Sequence, residues 1–558
     1  MRYDPTRPLA VQNDGTVLLE SRHAEFEKVR EELAEFAELV KSPEYVHTYR
    51  ISALSLWNAA VANKDTEEII SFLQQYGKYD LPHPVRMQIM SVMGRCGKLV
   101  LIAEGDRLFL KVEDEETFRM ISAMSFLRNI SIGTPDGGRF EIRPLYRGRL
   151  KQELLRAGFP VLDLAGYHQG ESLPIRLRTF TAGGRPFSLR EYQRRAADAF
   201  YQEGNAAGGS GVVVLPCGAG KTVVGIAVMA RLNCATLILT SSATSVKQWK
   251  REILDKTELT EEQVGEYNGL RKEVLPVTIA TYQILTHRRS KEEEFTHMAL
   301  FNERDWGLII YDEVHLLPAP VFRVTADIQA TRRLGLTATL VREDGREEDV
   351  FSLIGPKRFD MPWRRLEAQG WIAGVNCSEL RVPLAEDWLN RYWSSPPRER
   401  FRVAGENPAK LKVLSRLLEK HSGEPTLIIG QYLSQLRRIS DLTGAPMISG
   451  ETPFDERERL YERFKQGMER LLVVSRVANF AVDLPDAGVA IQVSGSFGSR
   501  QEEAQRLGRV LRPKNGRNEA FFYTLVSIGT KEEEFSEKRQ LFLVEQGYRY
   551  RQETIDLS

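Results

Sequence analysis

From residue 212 onward the chain shifts from spaced apolar positions to short unbroken apolar runs, each closed by glycine or a polar cluster. Residues 212–215, 236–240, 277–280, 308–311 and 333–336 read as strands buried on both faces. Between them, 223–232 and 246–254 carry helical spacing. Alternating strand and helix predicts a mostly parallel sheet with its sites at the strand carboxyl ends. A second series follows at 426–430, 447–450, 471–475 and 489–493, with a charged helix over 456–465.

Ahead of these runs the period is helical over 26–40, 54–61, 67–75 and 84–93, and Asp65 with Glu68 predicts a capping box. Residues 98–102 and 107–112 predict a hairpin around Glu104-Gly105-Asp106. Helices followed by a hairpin is a winged-helix order, which suits DNA contact or plain packing. Residues 113–170 read as a small α/β piece opened by a helix over 115–127, and 181–186 as a linker. The expected organisation is therefore a mainly helical 1–95, a small α/β unit at 96–175, a first sheet domain at 186–365, a connector at 366–404 and a second sheet domain at 405–558.

The candidate chemistry sits where the first strand series ends. Pro216-Cys217-Gly218-Ala219-Gly220-Lys221-Thr222 follows the first run and precedes a helix. Gly218 and Gly220 let the backbone come close to an anion, and the helix N-terminus adds positive partial charge. Pro216, Gly218, Ala219, Gly220, Lys221 and Thr222 thus form a phosphate-binding loop. Lys221 would reach the β- and γ-phosphates of ATP, and the Thr222 hydroxyl would take Mg²⁺. Leu215 stands where the generic pattern has glycine, so the weight rests on Gly-x-Gly-Lys-Thr. Asp312 leaves the apolar run 308–311 and would hold Mg²⁺, while Glu313 would orient and deprotonate the attacking water. His315, Thr337 and Thr339 follow at strand ends and would link this site to a nucleic-acid side. Gln193, one element upstream, is an amide able to read an adenine edge, although a helical Gln is usually solvated. Arg506, Arg509 and Arg512 lie three apart on one broad helix face, suited to phosphate contact in trans or to solvation.

Composition narrows the class. The 558 residues suit three or four domains, and 42% hydrophobic with 27% charged residues is ordinary for a globular chain. A net charge of +1 does not by itself announce a nucleic-acid binder, but a local basic groove depends on placement rather than on the sum. Cys96, Cys217, Cys234 and Cys377 form no Cys-x-x-Cys pair, which argues against zinc, iron–sulfur or disulfide frameworks and fits a reducing cytosol. No apolar run approaches the roughly 20 residues of a membrane span, and Met1-Arg2-Tyr3-Asp4-Pro5 has no signal-peptide core. A cytoplasmic location is expected.

Taken together, the loop, Asp312-Glu313-Val314-His315, Thr337-Ala338-Thr339 and the arginine helix resemble superfamily 2 helicases. Arg342-Glu343-Asp344, the stretch 501–513 and the tail 521–548 narrow the resemblance to the XPB (xeroderma pigmentosum group B) family in its prokaryotic form. That resemblance implies two tandem RecA-like helicase domains and an ATP-driven DNA helicase or translocase of 3′→5′ polarity, linked to nucleotide excision repair or transcription. It implies a damage-recognition-like role for 96–175 and strand separation by Arg342, Glu343 and Asp344. It also implies phosphate-directed roles for Gln505, Arg509 and Arg512, and a nuclease partner. A thumb-like segment would fall in 387–402, where Trp388, Arg391, Tyr392, Trp393, Arg398, Arg400, Phe401 and Arg402 interleave aromatics with positive charge. That composition suits DNA or a loop packed by its own rings. Ala478 and Ala481 stand where the family more often shows Gly and Ser or Thr. An RNA helicase, a duplex translocase without unwinding and a partner-binding scaffold with a vestigial motor are the alternatives.

Overall fold

The computed structural model describes residues 3–42, 45–216, 218–287, 296–329, 331–338, 347–475, 487–495, 519–545, 548 and 550–556. The chain forms two compact units: one reaches to Asp360 apart from 41–43 and 216–219, and the other runs from Met361 onward.

The first unit holds a parallel seven-stranded sheet in the order Val264–Tyr267, Val277–Thr281, Thr236–Thr240, Leu308–Asp312, Arg332–Thr337, Ser210–Val214, Lys357–Asp360. The strands Ser210–Val214, Thr236–Thr240 and Val277–Thr281 are buried at every position. That explains their unbroken apolar runs: helices cover both faces of such a sheet. Register places Val214 opposite Thr337 and Asp312 opposite Leu336, so three carboxyl ends finish level with one another.

The N-terminal stretch holds the helices Phe26–Leu33, Ala53–Val61, Thr66–Tyr76 and His83–Arg95. The backbone N–H of Asp65 donates to Glu68 at 3.2 Å, one half of the expected capping box. Helix predominates here, but the stretch also contains a four-stranded sheet, Leu9–Val11, Thr16–Glu20, Val46–Arg50, Glu38–Lys41. The helix expected over 26–40 therefore stops at Leu33. These strands are short, and Val17 and Leu19 are the inward positions of Thr16–Glu20, too few to set a period.

The hairpin Leu99–Glu104 and Arg107–Val112 corrects the winged-helix order. It is not a wing on the preceding helices, because its sheet continues through Arg139–Ile142 and Ser131–Asp136 on one side and Val161–Asp163 on the other. The single helix expected over 115–127 is two, Glu115–Ser122 and Ser125–Ile130.

The second unit holds another parallel seven-stranded sheet, ordered Met447–Ile448, Leu471–Ser475, Thr426–Gly430, Val489–Gln492, Glu519–Ser527, Gly374–Val382, Tyr550–Thr554. Numbered along each chain segment, both large sheets have the order 3-4-2-5-6-1-7. Two RecA-like domains in tandem account for this repeat. Gly374–Val382 lies inside the expected connector, yet it is the first strand of the second sheet. Its run of polar and apolar residues masked a strand buried between two neighbours.

Candidate active site

The site is built on the level carboxyl ends of the first large sheet. Beyond Val214 the chain enters the phosphate loop, where Gly218 and Gly220 have φ of +81° and +84°. A side chain is excluded at Gly220 twice over. The left-handed backbone disfavours it, and a Cβ there would lie 2.6 Å from Gln193 Nε2. Gln193 is buried, and its Oε1 accepts the Arg190 backbone N–H at 3.0 Å. The structure thus brings Gln193 to the end of the loop.

Gly220 caps the helix Lys221–Leu232, and the first two helical residues are Lys221 and Thr222. The Lys221 ammonium donates to Glu313 Oε1 at 2.7 Å, with both side chains largely buried. Glu313 itself is left-handed, φ 51° and ψ 56°, a conformation an L-residue adopts at a cost. This turn sends its carboxylate back toward Lys221. The other carboxylate oxygen lies 3.6 Å from His315 Nδ1, and that nitrogen is hydrogen-bonded to Thr337 Oγ1 at 2.7 Å. Lys221, Glu313, His315 and Thr337 therefore form one connected line along the sheet edge.

Asp312 is held apart from this line. Trp249 Nε1 donates to its Oδ2 at 2.9 Å, and the Tyr282 hydroxyl donates to its backbone carbonyl at 2.9 Å. Burial and the neighbouring Glu313 charge push the Asp312 carboxyl up to about 6. Burial also acts on Glu313, but the Lys221 ammonium and His315 outweigh it and hold that carboxyl below its ordinary value. The two adjacent acids are thus differentiated: Glu313 has its countercharge, and Asp312 is short of one.

A nucleotide with a divalent cation fits this arrangement. Among the described residues no group of three or more His, Cys, Asp or Glu side chains could hold a metal alone. One carboxylate and one hydroxyl, Asp312 and Thr222, would make the sparse protein donor set that suits Mg²⁺ when phosphate oxygens complete its shell. Trp249 and Tyr282 were not legible as site residues. Neither was singled out from the sequence, and both are buried.

Thr339, Arg342, Glu343, Asp344, Cys217, Ala478, Ala481, Gln505, Arg506, Arg509 and Arg512 lie outside the described residues. The aromatic segment is described and divides. It forms the helices Glu386–Ser394 and Pro397–Gly405. Tyr392 and Phe401 are buried, the Tyr392 hydroxyl accepts from the Lys531 backbone, and Trp388 Nε1 donates to the Val403 carbonyl at 2.9 Å. Trp393 is 56% exposed, with the Arg400 guanidinium 5.4 Å from its ring. Three of the four rings pack the segment and one faces outward.

Comparison with known proteins finds relatives along the length of the chain. Residues 366–556 match the family described as ERCC3/RAD25/XPB C-terminal helicase. Residues 186–342 match Type III restriction enzyme, res subunit, and residues 9–132 match Helicase conserved C-terminal domain. A protein of Mycobacterium tuberculosis named DNA 3'-5' helicase XPB is 51% identical over 97% of this chain and 97% of its own length. One of the same name from Kineococcus radiotolerans is 51% identical over 98% of this chain and 96% of its own. An Encephalitozoon cuniculi protein named General transcription and DNA repair factor IIH helicase/translocase subunit XPB is 34% identical over 98% of this chain and 82% of its own. Among solved structures, the ATP-dependent Type ISP restriction-modification enzyme LlaBIII bound to DNA aligns with 67% of this chain and 32% of its own, at TM-score 0.51 and 13% identity, a likeness of fold. Identity that runs the length of the chain, over two RecA-like domains, shows that the chain belongs to the XPB family of superfamily 2 helicases.

Proposed function

We propose that the chain is an ATP-dependent DNA helicase of 3′→5′ polarity, acting in repair of the nucleotide-excision kind or in transcription-linked DNA opening. The observation that carries this reading is the connected line from Lys221 through Glu313 and His315 to Thr337. It joins the phosphate loop to the strand end that leads into the Arg342-Glu343-Asp344 segment. The names of the near relatives, DNA 3'-5' helicase XPB, support the same substrate and polarity.

In this proposal Pro216, Gly218, Ala219, Gly220 and Lys221 cradle the phosphates, and Gln193 reads the adenine. Thr222 and Asp312 hold Mg²⁺, which when bound neutralises charge on the phosphate oxygens. Glu313 aligns and deprotonates the attacking water. Gln505, Arg509 and Arg512 supply charge to the transferring phosphoryl group. Thr337, Thr339 and His315 relay between nucleotide and DNA, and Arg342, Glu343 and Asp344 separate strands. Residues 96–175 take the recognition role. The motor works in the cytoplasm, and a nuclease acts with it.

The test is ATP turnover without nucleic acid and with single-stranded DNA, forked DNA or RNA, beside strand displacement on the fork. Stimulation by DNA with displacement from a 3′ tail is the expected result. Stimulation without displacement moves the reading to a duplex translocase, the second activity in the names of the transcription-factor relatives. Absence of turnover under all conditions overturns the motor.

A further inference from the structure

Trp249 sits on the helix Ala243–Lys256 with Val246 and Ile253, a buried stripe that reads as core. Its side chain is 1% exposed. The space it occupies has been cleared for it. A Cβ at Gly225, on the phosphate-loop helix, would lie 2.6 Å from Trp249 Cη2 and 3.2 Å from Cζ3. The ring is therefore wedged against the helix that carries Lys221 and Thr222, and its Nε1 ends 2.9 Å from Asp312 Oδ2.

We propose that Trp249 is a positioning residue for Asp312: its indole N–H fixes Oδ2 and leaves Oδ1 for the divalent cation that accompanies the nucleotide. This deepens the ATP-site reading above and rests on it. An indole N–H only donates. It can hold a carboxylate oxygen without competing for the metal, which a hydroxyl or an amide would do. The Tyr282 hydroxyl holds the Asp312 backbone carbonyl at the same time, so main chain and side chain of this residue are both tied. Partners of this kind set the orientation of a metal-ligating carboxylate and govern affinity through it. Gly225 serves the same end, because any larger residue there would displace the ring.

The competing explanation is that Asp312 merely satisfies a buried tryptophan. The two differ in what loss of the N–H does to metal binding. Mn²⁺ is the probe, titrated by electron paramagnetic resonance against the full-length protein in the presence of a non-hydrolysable ATP analogue. Analogue binding in EDTA and thermal unfolding are measured alongside. Trp249→Phe is expected to weaken Mn²⁺ binding about tenfold, with analogue affinity in EDTA unchanged. Replacing Trp249 with 3-benzothienylalanine keeps the bicyclic shape and puts sulfur where the N–H was, so it reports the donor alone even if the phenylalanine variant fails to fold. Gly225→Ala keeps the N–H but displaces it, and is expected to weaken Mn²⁺ binding in the same direction. Wild-type Mn²⁺ affinity in the benzothienyl protein overturns the proposal and leaves the ATP site standing. A wild-type protein that binds neither Mn²⁺ nor the analogue overturns the ATP site itself and this inference with it.

Discussion

Glu313 is tied to Lys221 in a geometry that a phosphate taken up by Lys221 would have to undo. The ammonium donates to Glu313 Oε1 at 2.7 Å and would have to turn toward the phosphates. Glu313→Gln removes the competing charge as well as the base. ATP turnover should then fall by about 10²–10⁴-fold, the ordinary worth of a general base. ATP affinity should rise by about fivefold, the equivalent of roughly 1 kcal/mol for a modest ion pair. Turnover at the wild-type rate would remove Glu313 from the catalytic set, and unchanged affinity would mean that Lys221 is not held back by the pair. The next residue along the line makes a separate prediction. Thr337→Val is close to isosteric and deletes the Oγ1 bonded to His315 Nδ1 at 2.7 Å. Basal turnover should persist while the DNA-stimulated part drops, and equal stimulation in both proteins would show that the relay runs elsewhere. At this scale spacing and strand-end context singled out Lys221, Glu313 and His315, and the structure brings those three together. Trp249 was not singled out, because its i, i+3, i+7 company of Val246 and Ile253 is what any core stripe looks like.

Between elements, one heavily charged buried joint lies in the small α/β piece. Arg147 and Lys151 stand one turn apart on the helix Arg147–Arg156 and converge on Asp163, at the end of Val161–Asp163. The distances are 2.8 Å and 2.9 Å, and all three side chains are under 10% exposed. Burial works against the Asp163 charge, but Lys151 and Arg147 overcome it and hold the carboxyl well below its ordinary value of 3.8. The same burial, with Arg333 and Arg147 nearby, pushes Lys151 down to about 7. Asp163→Asn removes the charge that helps keep Lys151 protonated and leaves the buried Arg147 short of its carboxylate, and should cost about 3–5 kcal/mol at neutral pH, read by thermal or denaturant unfolding. The sign with pH follows from the depressed folded-state value. The stability Asp163 contributes is present above the unfolded carboxylate range and is lost as pH falls below about 4. Wild type should therefore lose its advantage over Asp163→Asn in acid, and a gap that stays constant from pH 6 to pH 3 would contradict the assignment. This joint joins two elements that the sequence showed only dimly. The parallel strands at 236–240, 426–430 and 471–475, buried throughout but for Leu471, were legible to the residue, because covering both faces leaves an apolar run. Leu9–Val11, Val161–Asp163 and Lys357–Asp360 were not. They are short edge strands with few inward positions, and sheet pairing rather than local pattern makes them strands.

For the whole molecule, a net charge of +1 over 558 residues means that attraction to DNA must come from clustered rather than summed charge. If about five phosphates are held on single-stranded DNA, affinity should fall about 100-fold between 50 and 200 mM salt, and a flat response would argue against backbone contact. The repeated strand order, 3-4-2-5-6-1-7 in each large sheet, sharpens a second expectation. In the first sheet the strand in position 1, Ser210–Val214, runs into Gly-x-Gly-Lys-Thr. In the second sheet the equivalent strand, Gly374–Val382, runs instead into Pro383-Leu384-Ala385 and the helix Glu386–Ser394. No glycine spacing there lets the backbone close on an anion, and no lysine follows to meet one. The residues that do line that end are spent on each other: the Lys410 ammonium is buried on Glu532 Oε2 at 2.7 Å. The fold is duplicated, but the glycine-spaced loop with its lysine belongs to one copy. Calorimetric titration with a non-hydrolysable ATP analogue and Mg²⁺ should give one site per chain, and Lys221→Ala should abolish it. Two sites in the wild type, or one surviving in Lys221→Ala, would place nucleotide binding on the second sheet as well and require a cradle of a different kind.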